Sequence, residues 1–360
     1  MGGVLCAFTG ATFWGLSGVC ADFLLSNYDI SPLFITMCRA LGAGVLFCCV
    51  IAVRYRDVLR RMMADARTVA SLLIFGCLGL FPCQIVYLVA IDLTNAGTAT
   101  VFQSLNIVFI ALFTALIARK PLCRNEVLGV VCAFCSVFVI ATQGNPLVLA
   151  MSLTSLLWCL FLGVVESFYV VYPEKLFQEF GSFVPTGVAM MVSGFLSALV
   201  WLASSAWGGV VAALGSAGTV GTGALLQAAV SGIADALPTL DALGIVVLAV
   251  IAVVGTFASF ALFLRGVSKV GAVTGSLMGA MEPLSAAILS ALVLATPFTA
   301  WDWLGLVLMV ATFFLVALKG GDKDAVNDVE DGAREKVVMA EIGSARESEN
   351  VEEECPCPVR

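Results

Sequence analysis

Apolar runs about as long as a bilayer is thick constrain this fold more than any other feature of the sequence. The 360-residue chain is 61% hydrophobic and 12% charged, with a mean hydropathy of +1.05. About 20 apolar residues in a helix span ~30 Å of hydrocarbon, and a helix satisfies its own backbone polar groups inside lipid. The sequence therefore predicts an all-α polytopic membrane protein. Its ten predicted transmembrane helices cover about residues 3–25, 33–53, 69–91, 95–118, 126–142, 150–171, 183–206, 243–264, 271–294 and 301–318.

Positive charges in the short loops predict the orientation of these spans. Eleven Lys and Arg residues follow predicted spans 2, 4, 6 and 8, and none follows spans 1, 3, 5, 7 or 9. Because such residues concentrate on the cytoplasmic side, both termini are predicted to be cytoplasmic in a bacterial-type cell membrane. Residues 207–242 contain no Lys or Arg. They are predicted to form an external loop with a short amphipathic or re-entrant piece, because an eleventh span would move Arg265 and Lys269 outside.

An internal repeat divides the chain. A shift of 176 positions aligns residues 79–141 with 255–317 without a gap and brings Pro121 onto Pro297 and Gly129 onto Gly305. Each half then holds five spans, an odd number, so the second half enters the membrane from the opposite face. The prediction is two inverted five-helix repeats, an architecture that supports alternating access around a midplane site.

The predicted boundaries follow from the repeat. The first repeat covers residues 1–143, and the second covers 149–318 with the insertion at about 207–242. The remaining residues, 319–360, hold six Lys or Arg and twelve Asp or Glu. This tail is predicted to be charged, cytoplasmic and disordered, with a short helix near 333–345 as a candidate. The membrane part is therefore close to neutral, and the overall charge of −7 says little about its partner.

The most informative single stretch runs from Val270 to Pro297. Small residues every fourth position allow close helix packing, and they predict a packing ridge in this span. One carboxylate lies in the apolar middle of the span, and a proline directly after it predicts a kink or break. The ridge consists of Gly271, Gly275 and Gly279, and the carboxylate and proline are Glu282 and Pro283.

Short motifs in both halves give the chain a family resemblance. They are Phe13-Trp14-Gly15, Arg39, Ala96 with Thr98 and Ala99, Asn106-Ile107-Val108-Phe109, Leu128-Gly129, Met281-Glu282-Pro283-Leu284 and Trp303-Leu304-Gly305. On these residues the chain resembles the EamA family of the drug/metabolite transporter superfamily, over about residues 3–318. The resemblance implies ten helices in two five-helix halves around a central cavity.

The chain also departs from that family in two ways. The family often has a glutamate where this chain has Lys120 and Thr296. The first half has Ile107 where the family pattern has a proline. We therefore expect the helix break near Pro283 to have no counterpart in the first half.

Glu282 is the leading candidate for a substrate-binding or coupling residue, and two interpretations stay open. It is either a packing carboxylate bonded to neighbouring backbone or hydroxyl groups, or a site for a proton or a substrate amine in the cavity. Its repeat partner is Asn106, so both halves place a polar group at matching depth. Glu282→Gln is predicted to reduce transport.

Two further charges lie within predicted spans. Glu166 either reaches the cytoplasmic interface and pairs with a loop arginine, or belongs to the site. Arg39 is predicted to be a structural charge that pairs with Asp22, Asp92 or backbone carbonyls, or that extends towards the interface. Its alternative role is recognition of an anionic substrate.

The family resemblance also implies a set of cavity-lining candidates on spans 1, 3, 4 and 6. As a set they describe a site with aromatic walls and few charges, which suits amphipathic metabolites, including amino acids, better than polyanions. These candidates are Trp14, Gln84, Tyr87, Gln103, Asn106 and Tyr169.

Several function classes lack support in the sequence. The chain contains no histidine, which removes histidine-ligated zinc and histidine-based catalysis. No GxxxxGK[ST] sequence occurs, so ATP-driven transport by this chain is not supported. We predict no cofactor, no metal, no nucleic-acid partner and no enzyme activity, and the sequence gives no indication of oligomeric state.

The predicted function is secondary active transport of small metabolites as an exporter or exchanger, with a proton as the candidate coupling ion. The alternative is a membrane sensor or scaffold that does not transport and acts through its acidic tail.

Overall fold

The computed structural model describes residues 2–118, 124–217 and 222–316, and the predicted tail lies outside them. Over the described ranges the chain is helical and forms no β-strand. The helices are α1 (Gly2–Asn27), α2 (Pro32–Arg54), α3 (Arg56–Ala64), α4 (Ala66–Leu93), α5 (Ala96–Gln103), α6 (Asn106–Ala118), α7 (Arg124–Thr142), α8 (Leu153–Val171), α9 (Glu174–Phe180), α10 (Phe183–Ala217), α11 (Thr222–Asp235), α12 (Ala242–Val270), α13 (Ala272–Gly279), α14 (Met281–Val293) and α15 (Ala300–Val316).

The apolar helices match the predicted class of protein. In the described ranges, eight helical stretches are long and apolar enough to cross a membrane. Two shorter apolar helices, Leu277–Val293 and Ala300–Val316, occupy the positions of the ninth and tenth predicted spans. The described part of the chain is therefore all-helical and polytopic, and the count of ten spans stays a prediction.

Residues 207–242 differ from the predicted loop. Helix α10 continues to Ala217, and α11 then folds back against it. A methyl group added at Gly209 would meet the backbone of Gly232, and one added at Gly232 would meet the carbonyl oxygen of Ser205. This close antiparallel contact explains why the segment is rich in glycine and alanine. A helical hairpin without any Lys or Arg takes the place of the predicted loop.

Helix irregularities recur 176 residues apart. A π-helical segment occupies Phe75–Leu80 within α4, and another occupies Ile251–Ala258 within α12. Helices α5 and α6 are separated at residues 104 and 105, and α13 and α14 are separated at residue 280. Both halves therefore contain the break that was predicted for the second half alone.

Local hydrogen bonding explains the break in the first half. The Ser104 hydroxyl donates to the carbonyl oxygen of Thr100 at 2.8 Å, and the Leu105 N–H donates to the carbonyl oxygen of Phe102, one residue short of the α-helical pattern. A serine side chain that bonds back in this way competes with the helix. The absence of a proline at Ile107 was therefore a wrong reason to expect asymmetry.

The predicted features of the Val270–Pro297 stretch separate in the structure. Gly271 ends α12 with a φ of +83°, a backbone conformation that favours glycine. Gly275 approaches the Val267 side chain closely, whereas Gly279 would make only an ordinary contact with Phe313. Pro283 lies in the first turn of α14, where its missing N–H is tolerated. The three glycines therefore serve as a turn and one close contact, not as one continuous ridge.

Helix α1 contacts α12, α13, α14 and the first-half helices α4 and α5. Small residues on several of its faces allow these approaches. Methyl groups added at Gly10 and Gly15 would collide with the backbone of α12 and of α14, respectively, and one added at Gly18 would meet the Tyr87 hydroxyl. Helix α1 therefore holds the two halves of the chain together.

Helices α7 and α15 form a second contact between the halves. The Ser136 hydroxyl donates to the carbonyl oxygen of Gly305 at 2.6 Å, and the Thr312 hydroxyl donates to the carbonyl oxygen of Gly129 at 3.2 Å. The two bonds are reciprocal, because each helix supplies one hydroxyl donor and one carbonyl acceptor.

Polar contacts at one end of the bundle join distant segments. The Asp241 carboxylate accepts from the Tyr28 hydroxyl at 2.6 Å and from the Gly244 N–H at 2.8 Å. These hydrogen bonds, with that of Tyr28 the larger influence, hold the pKa of Asp241 below its usual value. Asp241 therefore caps α12 and also ties it to the end of α1.

The packing of α1 leads to a stability prediction. Gly15→Ala is expected to destabilise the protein by about 1–3 kcal/mol, because the new methyl group would meet the Glu282 carbonyl and the Ala286 nitrogen. The midpoint of thermal unfolding of purified protein in detergent measures the effect. The control is Gly208→Ala, whose added methyl group would have no atom within 4 Å. An equal response of the two variants would contradict the packing role of Gly15.

Candidate functional site

Polar and ionisable side chains from five helices meet in the interior of the bundle. Helix α2 supplies Arg39, and α5, α8 and α14 supply Gln103, Glu166 and Glu282. Helix α4 supplies three neighbouring residues, Cys83, Gln84 and Tyr87. Arg39 interacts electrostatically with both glutamates. These seven side chains are called the polar cluster below.

Arg39 is held by a neutral partner. Its Nε donates to Gln84 Oε1 at 2.8 Å. The Gln84 amide donates in turn towards Ser193 Oγ at 3.3 Å and Met190 Sδ at 3.4 Å. Gln84 therefore links the arginine on α2 to helix α10.

The carboxylates expected to pair with Arg39 are engaged elsewhere or make no bond to it. Asp22 accepts from the Ala96 N–H at 2.9 Å and so caps the start of α5. Asp92 is exposed at the end of α4. In the described ranges Arg39 forms its hydrogen bond with Gln84 and no ion pair with either residue. An ion pair of Arg39 with Asp22 or Asp92, one of the structural roles expected from the sequence, was therefore wrong.

Glu166 lies deep in the bundle, so the interfacial location weighed for it was wrong. Its side chain is 6% exposed, and its Oε2 accepts from the Cys83 thiol at 2.7 Å. A thiol is a weak donor, so this carboxylate needs further partners.

Gln103 is the neighbour that the two carboxyl groups share, because its side-chain amide interacts electrostatically with both Glu166 and Glu282. An amide nitrogen carries two N–H groups, which matches two flanking carboxyl groups. The amide oxygen, Gln103 Oε1, is buried and lacks a hydrogen-bond partner in the described part of the chain. The hydroxyl of Tyr87 is buried without a partner in the same ranges.

Accessibility divides the polar cluster into two layers. Cys83, Gln84, Tyr87 and Glu166 are buried. The partly accessible members of the cluster are Arg39, Gln103 and Glu282. The cluster residues on α4 and α8 are therefore less accessible than those on α2, α5 and α14.

The two aromatic candidates, Tyr169 and Trp14, pack against other rings. Tyr169 stacks on Phe75, with ring centroids 5.8 Å apart and an interplanar angle of 16°. Trp14 packs against Phe260 and Phe263 at centroid distances of 4.9 and 4.6 Å. Tyr169 also interacts electrostatically with Glu166 and Glu282.

Asn106 lies beside the cluster, at the start of α6. Its backbone carbonyl oxygen accepts from the Ser167 hydroxyl at 3.3 Å, which joins α6 to α8 directly after Glu166. The side chain of Asn106 is partly accessible. The structure thus brings Glu282, Gln103, Gln84, Tyr87, Glu166 and Arg39 together, with Asn106 and Tyr169 beside them. Trp14 packs on Phe260 and Phe263 of α12.

Three side chains of the site were missed in the sequence. Cys83, Met190 and Ser193 resemble the many small or apolar residues of membrane spans, and only their contacts with Glu166 and Gln84 distinguish them. Ser193 is 0% exposed on α10, and no pattern in the sequence marks it. In the described ranges no group of three or more His, Cys, Asp or Glu side chains could hold a metal ion.

Comparisons with known proteins identify a family and a relative named as a transporter. The model of the EamA-like transporter family matches residues 1–142 and 153–318. The chain is 29% identical over 316 residues to an uncharacterized inner membrane transporter, YicL, of Salmonella typhimurium strain LT2, a match that covers 88% of this chain and 95% of the relative.

A solved structure, described only as a crystal structure of a protein, is similar in fold. Its TM-score is 0.54 at 18% sequence identity, and the match covers 88% of this chain and 96% of the other. At this identity the likeness concerns the fold alone.

The link between Arg39 and Gln84 leads to a second prediction. Gln84→Leu is expected to destabilise the protein by about 1.5–3 kcal/mol, because it leaves a charged donor without its partner. Thermal unfolding of purified protein measures this. Gln178→Leu, at an exposed position on α9, is the matched control. A Gln84→Leu protein as stable as the control would show that the bond to Arg39 is dispensable.

Proposed function

The chain belongs to the EamA-like transporter family, and on this premise we propose a secondary active transporter that moves small metabolites by alternating access. It would act as an exporter or exchanger in a bacterial inner membrane. The relative named as an inner membrane transporter supports both the general activity and the location.

The polar cluster is the single observation that carries this proposal. A charged side chain deep in a membrane is costly and usually marks a substrate or ion pathway. Here one guanidinium and two carboxyl groups lie among apolar helices, with the guanidinium held by Gln84 and the two carboxyl groups beside Gln103. Their partly accessible members, Arg39, Gln103 and Glu282, would line the substrate cavity.

Recurrent features of the two halves support the inverted repeat. The π-helical segments begin at Phe75 and Ile251, and α5 and α13 end at Gln103 and Gly279, 176 residues apart in each case. A helix irregularity is set by local bonding, so its recurrence at one fixed spacing indicates two copies of the same unit.

The contact between α7 and α15 has the form expected at an axis between two such copies. Ser136 and Thr312 are 176 residues apart, and so are their acceptors Gly129 and Gly305. Each residue therefore bonds the repeat counterpart of the other residue's acceptor, as in a two-fold symmetric interface. We propose that this axis relates the two five-helix repeats.

The helix breaks supply a mechanism. Gln103 is the last residue of α5 before one break, and Glu282 is the second residue of α14 after the other. Broken helices allow one half of a span to tilt relative to the other, and they also present free backbone groups to a bound solute. In the proposed cycle the two repeats rock around the cluster and expose it to each side in turn.

The composition of the site favours small amphipathic solutes, including amino acids. Both signs of charge are present, and the stacked rings of Tyr169 and Phe75 lie nearby. Glu282 is the candidate for the coupling proton, because it is an accessible carboxyl group with one amide partner. A scaffold that does not transport has no need of such a costly cluster. Transport by a chain truncated after residue 318 would exclude the scaffold alternative.

The distribution of basic residues favours cytoplasmic termini. The side chain of Lys269 lies against Gly3, so the start of α1 is at the same end of the bundle as a basic loop. By the positive-inside rule this end is cytoplasmic.

Glu282→Gln is expected to reduce exchange of the native substrate in proteoliposomes by at least ~10-fold and to remove its dependence on pH, because the amide cannot titrate. The measurement is the flux, at several pH values, of solutes that the wild-type protein exchanges. Glu179→Gln changes an exposed glutamate and should leave flux unchanged. Full, pH-dependent exchange by Glu282→Gln would overturn the coupling role.

The proposed orientation is tested by labelling with an impermeant maleimide in a cysteine-free background. Leu147→Cys, at a position that is 92% exposed between α7 and α8, is expected to react in intact cells. Arg61→Cys, on α3, is expected to react only in inverted vesicles. The reverse pattern would place the termini outside.

A further inference from the structure

We propose that two tyrosine–aspartate hydrogen bonds, one at each end of the bundle, hold the two sides of the transporter closed in turn. The external pair, Tyr28 and Asp241, is bonded in this structure. The cytoplasmic pair, Tyr172 and Asp65, is its repeat counterpart and forms its bond in the opposite state. This inference rests on the proposed alternating-access function and adds the residues that set the balance between its two states.

The repeat identifies Tyr172 as the counterpart of Tyr28. A shift of 144 positions places α1 on α8, and it brings Trp14 onto Trp158 and Tyr28 onto Tyr172. Tyr28 is the first residue after α1, and Tyr172 is the first residue after α8. Because the two helices cross the membrane in opposite directions, the two tyrosines lie at opposite ends of the bundle.

The two aspartates are also counterparts, and they have the same local role. Asp241 and Asp65 are 176 residues apart. Asp241 caps the start of α12 by accepting from the Gly244 N–H at 2.8 Å, and Asp65 caps the start of α4 by accepting from the Thr68 N–H at 3.0 Å. Gly244 and Thr68 are again 176 residues apart. The register of the repeat therefore extends to both caps.

The two pairs differ in their bonding. The Tyr28 hydroxyl donates to the Asp241 carboxylate at 2.6 Å. Tyr172 makes no such bond to Asp65 over the described residues, and its ring stacks on Phe168 with centroids 5.0 Å apart. Both ends of the chain thus carry the residues for one tyrosine–aspartate bond, and the external end has formed it.

Helix packing shows the same difference between the two ends. In the external half of the bundle α5 lies against α14, where a methyl group added at Gly97 would come within 3.2 Å of the Ala287 Cα. The counterparts of these helices are α13 and α6, in the cytoplasmic half. No comparable packing joins α13 to α6 in the part of the chain that the structure describes. The external side is therefore closed and the cytoplasmic side is open.

A capping contact of α1 adds a third instance. Asp22 accepts from the Ala96 N–H at 2.9 Å and so fastens α1 to the start of α5 at the external end. The shift of 144 brings Asp22 onto Glu166 of α8. Glu166 accepts from the Cys83 thiol instead of capping α13. The contact that joins these elements externally thus has no formed counterpart on the cytoplasmic side.

The two bonds oppose each other in the transport cycle. When inverted repeats exchange conformations, a contact made by one repeat in one state is made by its counterpart in the other state. Hydrogen bonds to a carboxylate are stronger than those between neutral groups. Since each bond exists in one state alone, losing one of them shifts the populations towards the state that keeps the other.

One difference between the pairs explains which bond is formed here. Gly244 leaves room for the Tyr28 ring, because a methyl group added there would come within 3.0 Å of it. The matching position holds Thr68, whose hydroxyl donates to Asp65 at 2.8 Å. The cytoplasmic bond must therefore compete with this threonine, and the external bond has no such competitor.

Distances between spin labels at the two ends test the proposal. The full-length protein is labelled in a cysteine-free background and reconstituted in liposomes. Labels at the exposed positions Asp29 and Leu237 report on the external side, and labels at Arg67 and Lys175 report on the cytoplasmic side. The fraction with a short external distance is expected to equal the fraction with a long cytoplasmic distance.

Two conservative variants are expected to shift the ratio of these states in opposite directions. Tyr28→Phe should shift it about 3–10-fold towards the outward-open state, and Tyr172→Phe should shift it by a similar factor towards the inward-open state, the scale of one lost hydrogen bond to a charged group. Tyr55→Phe is the matched control, because the Tyr55 ring packs on Phe183. It should leave the ratio unchanged.

A reducible cross-link provides a second measurement that does not depend on the starting populations. A short bis-methanethiosulfonate is expected to bridge Tyr172→Cys and Asp65→Cys, as it bridges Tyr28→Cys and Asp241→Cys. Each bridge should stop exchange in proteoliposomes, and a reductant should restore it. The control pairs Asp65→Cys with Arg124→Cys, at the cytoplasmic start of α7, and is expected to remain unbridged.

The outcomes separate this inference from the proposed function. Shifts of Tyr28→Phe and Tyr172→Phe in the same direction, or no shift in either variant, overturn the inference. Failure to bridge positions 65 and 172 under conditions that bridge positions 28 and 241 also overturns it. In each of these cases solute exchange by the wild type leaves the transport function standing, whereas the absence of any exchange by the wild type overturns the transport function itself.

Discussion

The need to accommodate Arg39 among apolar helices determines much of this structure. A guanidinium group stays charged in a protein and cannot escape the cost of burial by losing its proton. Its side chain is fixed by Gln84, which α4 supplies and α10 supports. On the same helix, the residue before Gln84 is Cys83, which faces Glu166, and Tyr87, three residues after Gln84, faces α1. Helix α4 therefore links the charges of the cluster to the packing of the bundle.

Close helix packing allows several helices to contribute side chains to one cluster. The glycines of α1 let α12, α14 and α4 approach within contact of its backbone, so several helices can reach one point. The irregular segments then change the direction in which the following side chains leave the helix. The π-helical segment Phe75–Leu80 immediately precedes the run that carries Cys83, Gln84 and Tyr87, and the break after Gln103 lets α5 end at the cluster. π-Helical segments often occur at functional sites.

The sequence predicted the class of protein and many members of the site, for physical reasons. Long apolar runs permit one kind of structure in lipid, and polar residues such as Glu282, Gln103 and Gln84 stand out against them. The sequence did not predict which side chains form hydrogen bonds with one another. Asp22 was one of the partners expected for Arg39, but it instead caps α5 through the Ala96 N–H, and no periodicity distinguishes a cap from an ion pair. Cys83 and Ser193 were missed because small residues in apolar helices usually serve packing.

Two errors about local structure have the same origin. The break between α5 and α6 depends on a serine that bonds back to the Thr100 carbonyl, and a serine marks a helix break in a sequence less clearly than a proline does. The α10–α11 hairpin depends on close contact between Gly209 and Gly232, whereas glycine in a sequence indicates a loop as readily as close packing.

The central claim is that one cluster of buried polar groups is the substrate site of an alternating-access transporter. The most direct test of this claim is a structure of the purified protein bound to the solute that it exchanges in proteoliposomes. The account predicts the solute in contact with Glu282, Gln103 and Arg39, between the two helix breaks. A solute bound elsewhere, with these three side chains still arranged as here, would contradict it.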